Sequence, residues 1–225
     1  MNILLVAATE SELIPFVRRI SNANEIAIPV HSLNYQSHEL NFLITGVGGI
    51  ATAVLLSAHL VDHKYDLIIN AGIAGSFKNN YKIGDTVFVS EEIFADLGVE
   101  EADGTFLDLF EIGLADRNGR PFNDGKILAS GHLNLTHLPR VKAISVNKVH
   151  GMEKSITDIV NKYDPDIETM EGAAFLLVCH HHHQASLQLR TISNFVEPRD
   201  REKWNIPLAI ENLARSLDYV LEVLA

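Results

Sequence analysis

Two carboxylates stand where this chain could do chemistry. The stretch Glu168-Thr-Met-Glu-Gly-Ala-Ala-Phe175 runs from a short apolar approach carrying Ile167 into Glu171, then into small residues that open an apolar helix. A carboxylate at a helix N-terminus sits in a positive field that favours its ionised form. Ionised and partly buried, it only accepts hydrogen bonds, which suits a ligand with neighbouring hydroxyls. The alternative is a capping Glu on a core helix. Gly172, Ala173 and Ala174 let another backbone, or a flat ligand, approach the start of that helix.

The second carboxylate is Glu12. Asn2 to Ala8 is an unbroken run fit for a strand buried on both faces, and it breaks at Thr9-Glu-Ser-Glu12 before Leu13, Phe16, Val17 and Ile20 follow at helical spacing. Thr9 and Glu12 match the reciprocal S/T-x-x-E capping pattern. Glu12 therefore either closes that cap or stands at the carboxyl edge of the first strand, where open α/β sheets place ligands.

The elements that must position these groups alternate. Strands are expected at 40–45, 66–70, 86–94, 142–149 and 186–193, with helices after the second of all the strands, at 152–163, at 173–179 and from Ile206 to the end. Gly46-Val-Gly-Gly-Ile-Ala51 has the G-x-G-x-x-A spacing that brings a phosphate onto a helix N-terminus, but no acidic partner follows at the next strand's end. Asn70-Ala-Gly-Ile-Ala-Gly75 reads as a second Gly-rich turn, so three strand ends are expected to converge on one small ligand. The segment from Asp96 through Asp124 is acidic, Gly-punctuated and expected to be irregular or to contact a partner. His180-His-His-His183 ends an apolar helix. Its side chains point in different directions, which suits a solvated helix end better than a metal site. The alternation predicts a single α/β domain over 1–225 with helices on both faces of a sheet.

Composition excludes several classes of partner. The chain has 225 residues, 47% of them hydrophobic, and a formal net charge of -11. That charge argues against a nucleic-acid backbone or an anionic membrane as partner. The single Cys179 cannot form an internal disulfide, no basic segment precedes an apolar stretch at Met1, and no apolar run reaches the ~18 residues of a membrane span. A soluble cytoplasmic protein is expected.

Three motifs, Ala8-Thr-Glu-Ser-Glu12, Asn70-Ala-Gly-Ile-Ala-Gly75, and Met170-Glu171 followed by Ile192-Ser-Asn194, fall in the order and spacing of the nucleoside phosphorylase/nucleosidase superfamily. The chain resembles the branch with the methylthioadenosine/adenosylhomocysteine nucleosidases, and within it most resembles the futalosine hydrolases, which release hypoxanthine from futalosine in menaquinone biosynthesis. Ser193-Asn-Phe-Val-Glu-Pro-Arg199 with Trp204 is the most specific part of the likeness, which spans almost the whole chain.

The resemblance implies a three-layer α/β sandwich around a mixed, partly barrel-like sheet, in a homodimer or higher homo-oligomer that takes a small nucleoside and needs no cofactor or metal. It implies hydrolysis of an N-ribosidic bond, with Glu12 activating water and Glu171 holding the ribose hydroxyls. Asn194 falls where adenine-specific relatives carry Asp. A neutral amide can accept from N7–H and donate to O6 of hypoxanthine; otherwise Asn194 is a turn residue after a strand. Val47, Met170 and Trp204 would wall the 5′ substituent, and Gly72 joins the substrate-contacting positions. His150 would stack on the purine. Arg190 lies near the water or is a paired surface Arg. Arg199 or Arg201 would pair the substrate's carboxylate, unless the loop Glu197–Lys203 is merely solvated. The rivals are an adenine-releasing nucleosidase, a purine nucleoside phosphorylase and a non-catalytic dinucleotide-binding module.

Overall fold

The structure, a computed structural model, describes residues 1–21, 32–131 and 138–225. Strand β1 (Asn2–Ala7) shows how its sequence dictates the layers. Alternate side chains leave a strand on opposite faces. Ile3, Leu5 and Ala7 pack with Leu13, Phe16 and Val17 of α1 (Glu10–Ser21) and with Leu213, Leu217 and Val220 of α5 (Ile206–Leu224). Leu4 and Val6 pack on the other side with Leu56 and Leu60 of α2 (Gly49–Asp62) and with Phe175, Leu176 and Cys179 of α4 (Gly172–His181). The result is three layers, helices over and under a sheet, as expected. The last helix begins as its residues dictate: Asn205 accepts from the Leu208 N–H and Pro207 occupies the first turn, where its missing N–H costs nothing.

The remaining elements are β2 (Leu33–Tyr35), β3 (His38–Ile44), β4 (Leu67–Ser76), β5 (Thr86–Phe94), β6 (Gly98–Glu100), β7 (Phe106–Asp108), β8 (Ile127–Leu128), β9 (Arg140–Ser145), α3 (Glu153–Tyr163), β10 (Ile167–Thr169) and β11 (Ser186–Phe195). The mixed main sheet runs β10-β9-β5-β11-β4-β1-β3-β2, with β8 beside β5. Strand β10 also pairs antiparallel with β4, so β4, β11, β5, β9 and β10 close into a ring. All five strands contribute to one apolar cluster: Ala74, Val87, Val89, Val141, Ala143, Ile167 and Ile192.

Three expectations need correction. Residues 70–75 do not form a turn: β4 continues through them to Ser76, because β11 pairs with it from Ile68 to Ser76. Strand β9 ends at Ser145, not at residue 149, which leaves His150 in the following loop. The acidic segment 96–124 is not irregular throughout; it carries the β6–β7 hairpin.

The ring determines where a site can form. Strand β1 accompanies β4 only as far as Asn70, and β10 joins the same strand at Gly75. Between them, one edge of β4 has no neighbouring strand. Such a divergence in an α/β sheet opens a crevice.

Candidate active site

Glu12 fills that gap. Its Oε1 accepts the Ile73 N–H at 3.3 Å, while Oε2 accepts the Thr9 N–H at 2.9 Å and the Thr9 hydroxyl at 3.1 Å. The capping reading and the strand-edge reading therefore describe one side chain, with one oxygen for the helix and one for β4. Gly72 is what makes room. A Cβ there would lie 2.8 Å from Arg190 Nη1 and 2.9 Å from Glu12 Oε1.

Glu171 caps the N-terminus of α4, and its Oε1 accepts the Gly48 N–H at 2.8 Å. Gly48 is itself the N-cap of α2, at φ 95°, a left-handed value that favours glycine. The loop amide that a phosphate-binding Gly-rich turn would offer is thus occupied by a carboxylate. Close approach of α2 and α4 depends on small residues, since a Cβ on Gly49 would lie 3.3 Å from Ala174 Cβ.

Glu12, Glu171 and Asn194 line one cavity of about 420 Å³, together with Val47, His150, Met170, Arg199 and Trp204. The Glu12 carboxyl is held above its ordinary range: burial is the main cause, and the nearby Glu171 adds to it. Arg190 and the Thr9 hydrogen bonds pull the other way. A buried acid, Glu12, and a half-buried one, Glu171, that repel each other across a hollow make it attractive to positive charge.

Asn194 sits at the other end. Its Oδ1 accepts from the Ser193 hydroxyl at 2.8 Å and its Nδ2 donates to the Phe195 carbonyl at 3.0 Å. Each amide atom retains capacity for one more bond. Arg199 lies 4.9 Å over the Trp204 ring and borders both this cavity and a second hollow of about 710 Å³, which shares Val149 and His150 with the first.

Three expected positions lie elsewhere. Gly72 and Arg190 do not line the cavity. Arg190 is not a surface residue: it is 1% exposed, donating to Asn70 Oδ1 at 2.7 Å and Gln188 Oε1 at 2.9 Å. It reaches the site only as charge behind Glu12. Arg201 is exposed in a one-turn 3₁₀ helix, Arg201–Lys203, outside the cavity lining. Of the histidine run, His180 bonds the Leu128 carbonyl and His182 the Ser57 hydroxyl.

Sequence reasoning passed over two acids. Glu168 is 4% exposed on β10 and lines the cavity. Glu92 is fully buried under α4, accepting from Gln188, Ser145 and Thr169, and burial pushes its carboxyl up to about 7. A Cβ on Gly172 would overlap Glu92 Oε1, at 1.8 Å.

Comparison with known proteins agrees with this architecture. The phosphorylase superfamily model matches residues 2–123. A futalosine hydrolase of Thermus thermophilus is 28% identical over 185 residues, 80% of either chain. One from Acidothermus cellulolyticus is 32% identical over 176 residues, covering 77% of this chain and 71% of that one. The crystal structure of 5′-methylthioadenosine/S-adenosylhomocysteine nucleosidase from Helicobacter pylori with butyl-thio-DADMe-Immucillin-A superposes with a TM-score of 0.80 at 17% identity, over 99% of this chain and 98% of that one. A chain with this fold, these relatives and paired acids at the fork of its sheet belongs to the phosphorylase superfamily, as an N-glycosidase of its nucleosidase branch.

Proposed function

We propose that this protein hydrolyses the N-ribosidic bond of futalosine and releases hypoxanthine. The observation that carries the proposal is the single cavity onto which Glu12, Glu171 and Asn194 all open. With the ribose between the two acids, Glu171 holds the 2′ and 3′ hydroxyls while Gly48 anchors one of its oxygens. As the C1′–N9 bond lengthens, the sugar gains positive charge, and the fixed carboxylates stabilise it. Glu12 accepts a proton from the water that attacks C1′, a contribution of typically about 10²–10⁴-fold.

Asn194 meets the 6-oxopurine, its free N–H facing O6. Futalosine carries a carboxylated aromatic ring at its 5′ position. Arg199, at the boundary between the two hollows, pairs that carboxylate. Hydrolysis rather than phosphorolysis is supported by the acids that already occupy the Ile73 and Gly48 amides.

A second copy of the chain covers the apolar face of α2, where Ile50, Val54 and Val61 are 78%, 61% and 70% exposed and continue from Val47 in the cavity wall.

The test is incubation with futalosine, inosine and methylthioadenosine in phosphate-free buffer, followed by identification of the base. Hypoxanthine from futalosine is expected. Adenine from methylthioadenosine alone would replace this reading with the adenine nucleosidase one. A rate climbing steeply with phosphate would replace hydrolysis with phosphorolysis.

A further inference from the structure

We propose that His150, held by Glu168, is the acid that protonates the departing base, with His150 a catalytic residue and Glu168 its positioning residue; this rests on the nucleoside-hydrolase reading above. His150 Nδ1 lies 2.8 Å from Glu168 Oε2, and the His150 backbone N–H lies 3.2 Å from both Glu168 oxygens. A carboxylate only accepts, so Nδ1 carries the proton in this pair and Nε2 is the ring nitrogen left for a ligand. Among the described residues Nε2 has no hydrogen-bond partner. The imidazole borders the cavity with 13% of its side chain exposed, and the edge of Phe77 steadies it, with ring centroids 6.3 Å apart.

The position is that of the base, not of the water. A Cβ built on Gly75 would lie 3.2 Å from Asn194 Nδ2 and 3.6 Å from Glu168 Cγ, so the amide and the dyad flank the same glycine of β4. Glu12 meets the strand earlier, at Gly72 and Ile73. An amide can orient a purine but has no titratable proton to give it. Of the described side chains lining the cavity, His150 is the one imidazole, a group that can both hold and release a proton. Glu168, 2.8 Å from Nδ1, offsets the positive charge of the imidazolium.

The step balances. The C1′–N9 electron pair passes into the purine, and the Nε2 proton of the imidazolium moves to N7. Water adds to C1′ and gives a proton to Glu12. Hypoxanthine leaves neutral, and a proton passes from Glu12 back to His150 through solvent. Glu168 keeps its charge throughout.

The experiment compares inosine with 4-nitrophenyl β-D-ribofuranoside, whose leaving group departs as an anion and needs no proton. His150→Gln is expected to lower kcat/KM for inosine by about 10²-fold or more, and for the nitrophenyl riboside by less than about 5-fold. Glu168→Gln is expected to show the same selectivity at smaller size. Equal losses on both substrates, or no loss on inosine, would overturn the acid assignment while leaving the hydrolase reading intact. Should the wild-type protein be inert towards both, futalosine takes the place of inosine, and wild-type protein that releases no hypoxanthine from futalosine would remove the hydrolase reading and this inference with it.

Discussion

Glu171 and Gly48 join the starts of two helices. The carboxylate at the head of α4 accepts the N–H at the N-cap of α2 across 2.8 Å. This contact makes one side chain answer for both structure and chemistry. Glu171→Gln keeps an acceptor for Gly48 but removes the charge, so kcat/KM should fall about 10²–10³-fold with little change in Tm. Glu171→Ala should lose the same activity and, with the bond to the Gly48 N–H gone, about 1 kcal/mol of stability as well. Steady-state kinetics alongside thermal melts separates the two effects.

Thr9 lowers the proton affinity of Glu12, against the larger effect of burial. A general base works ionised, and burial raises the Glu12 carboxyl above its ordinary range, so the acidic limb of kcat/KM should lie above that of a free Glu. The Thr9 hydroxyl donates to the ionised form. Thr9→Val removes that donor and favours the protonated acid, so the limb should move to still higher pH. A pH–rate profile of the variant checks this, and an unmoved limb would detach Glu12 from the base role.

Asn194 should determine which purine leaves. In Asn194→Asp an acid replaces the amide, so hypoxanthine release should drop about 10-fold or more while adenine nucleosides become substrates. Undiminished hypoxanthine release with adenine nucleosides still refused would contradict the assignment.

Glu92 predicts a stability slope. Its folded-state carboxyl is raised to about 7 from 4.5. Between those values the unfolded chain has released a proton that the folded chain retains, so stability should fall as pH rises through this window, by up to about 3 kcal/mol. Below the window both states are protonated and the effect is absent. Glu92→Gln should flatten the slope in urea titrations between pH 4.5 and 7.

The layers were legible because β1 alternates two sets of apolar side chains and α5 repeats Ile206, Ile210, Leu213, Leu217 and Val220 at helical spacing. The two acids were legible because each interrupts an apolar run at an element boundary. What periodicity could not show is pairing at long range. Residues 70–75 look like a turn until β11 lies beside them, and Arg190 looks like a surface residue until Asn70 and Gln188 surround its guanidinium. Glu168 and His150 are 18 residues apart, and only the pairing of β10 with β9 reveals them as a couple.

Strand β4 is bonded to β11 along most of its length, and to β1 and then β10 on its other edge. Sliding it by one residue would exchange every inward side chain for its outward neighbour. The frame that spaces Gly72 from Gly75 is therefore closed to gradual change. Chains sharing this architecture can diversify their substrates by exchanging side chains that face the cavity, as at Asn194, and through the segments that overhang the frame, here the loop bearing His150 and the stretch from Val196 to Trp204.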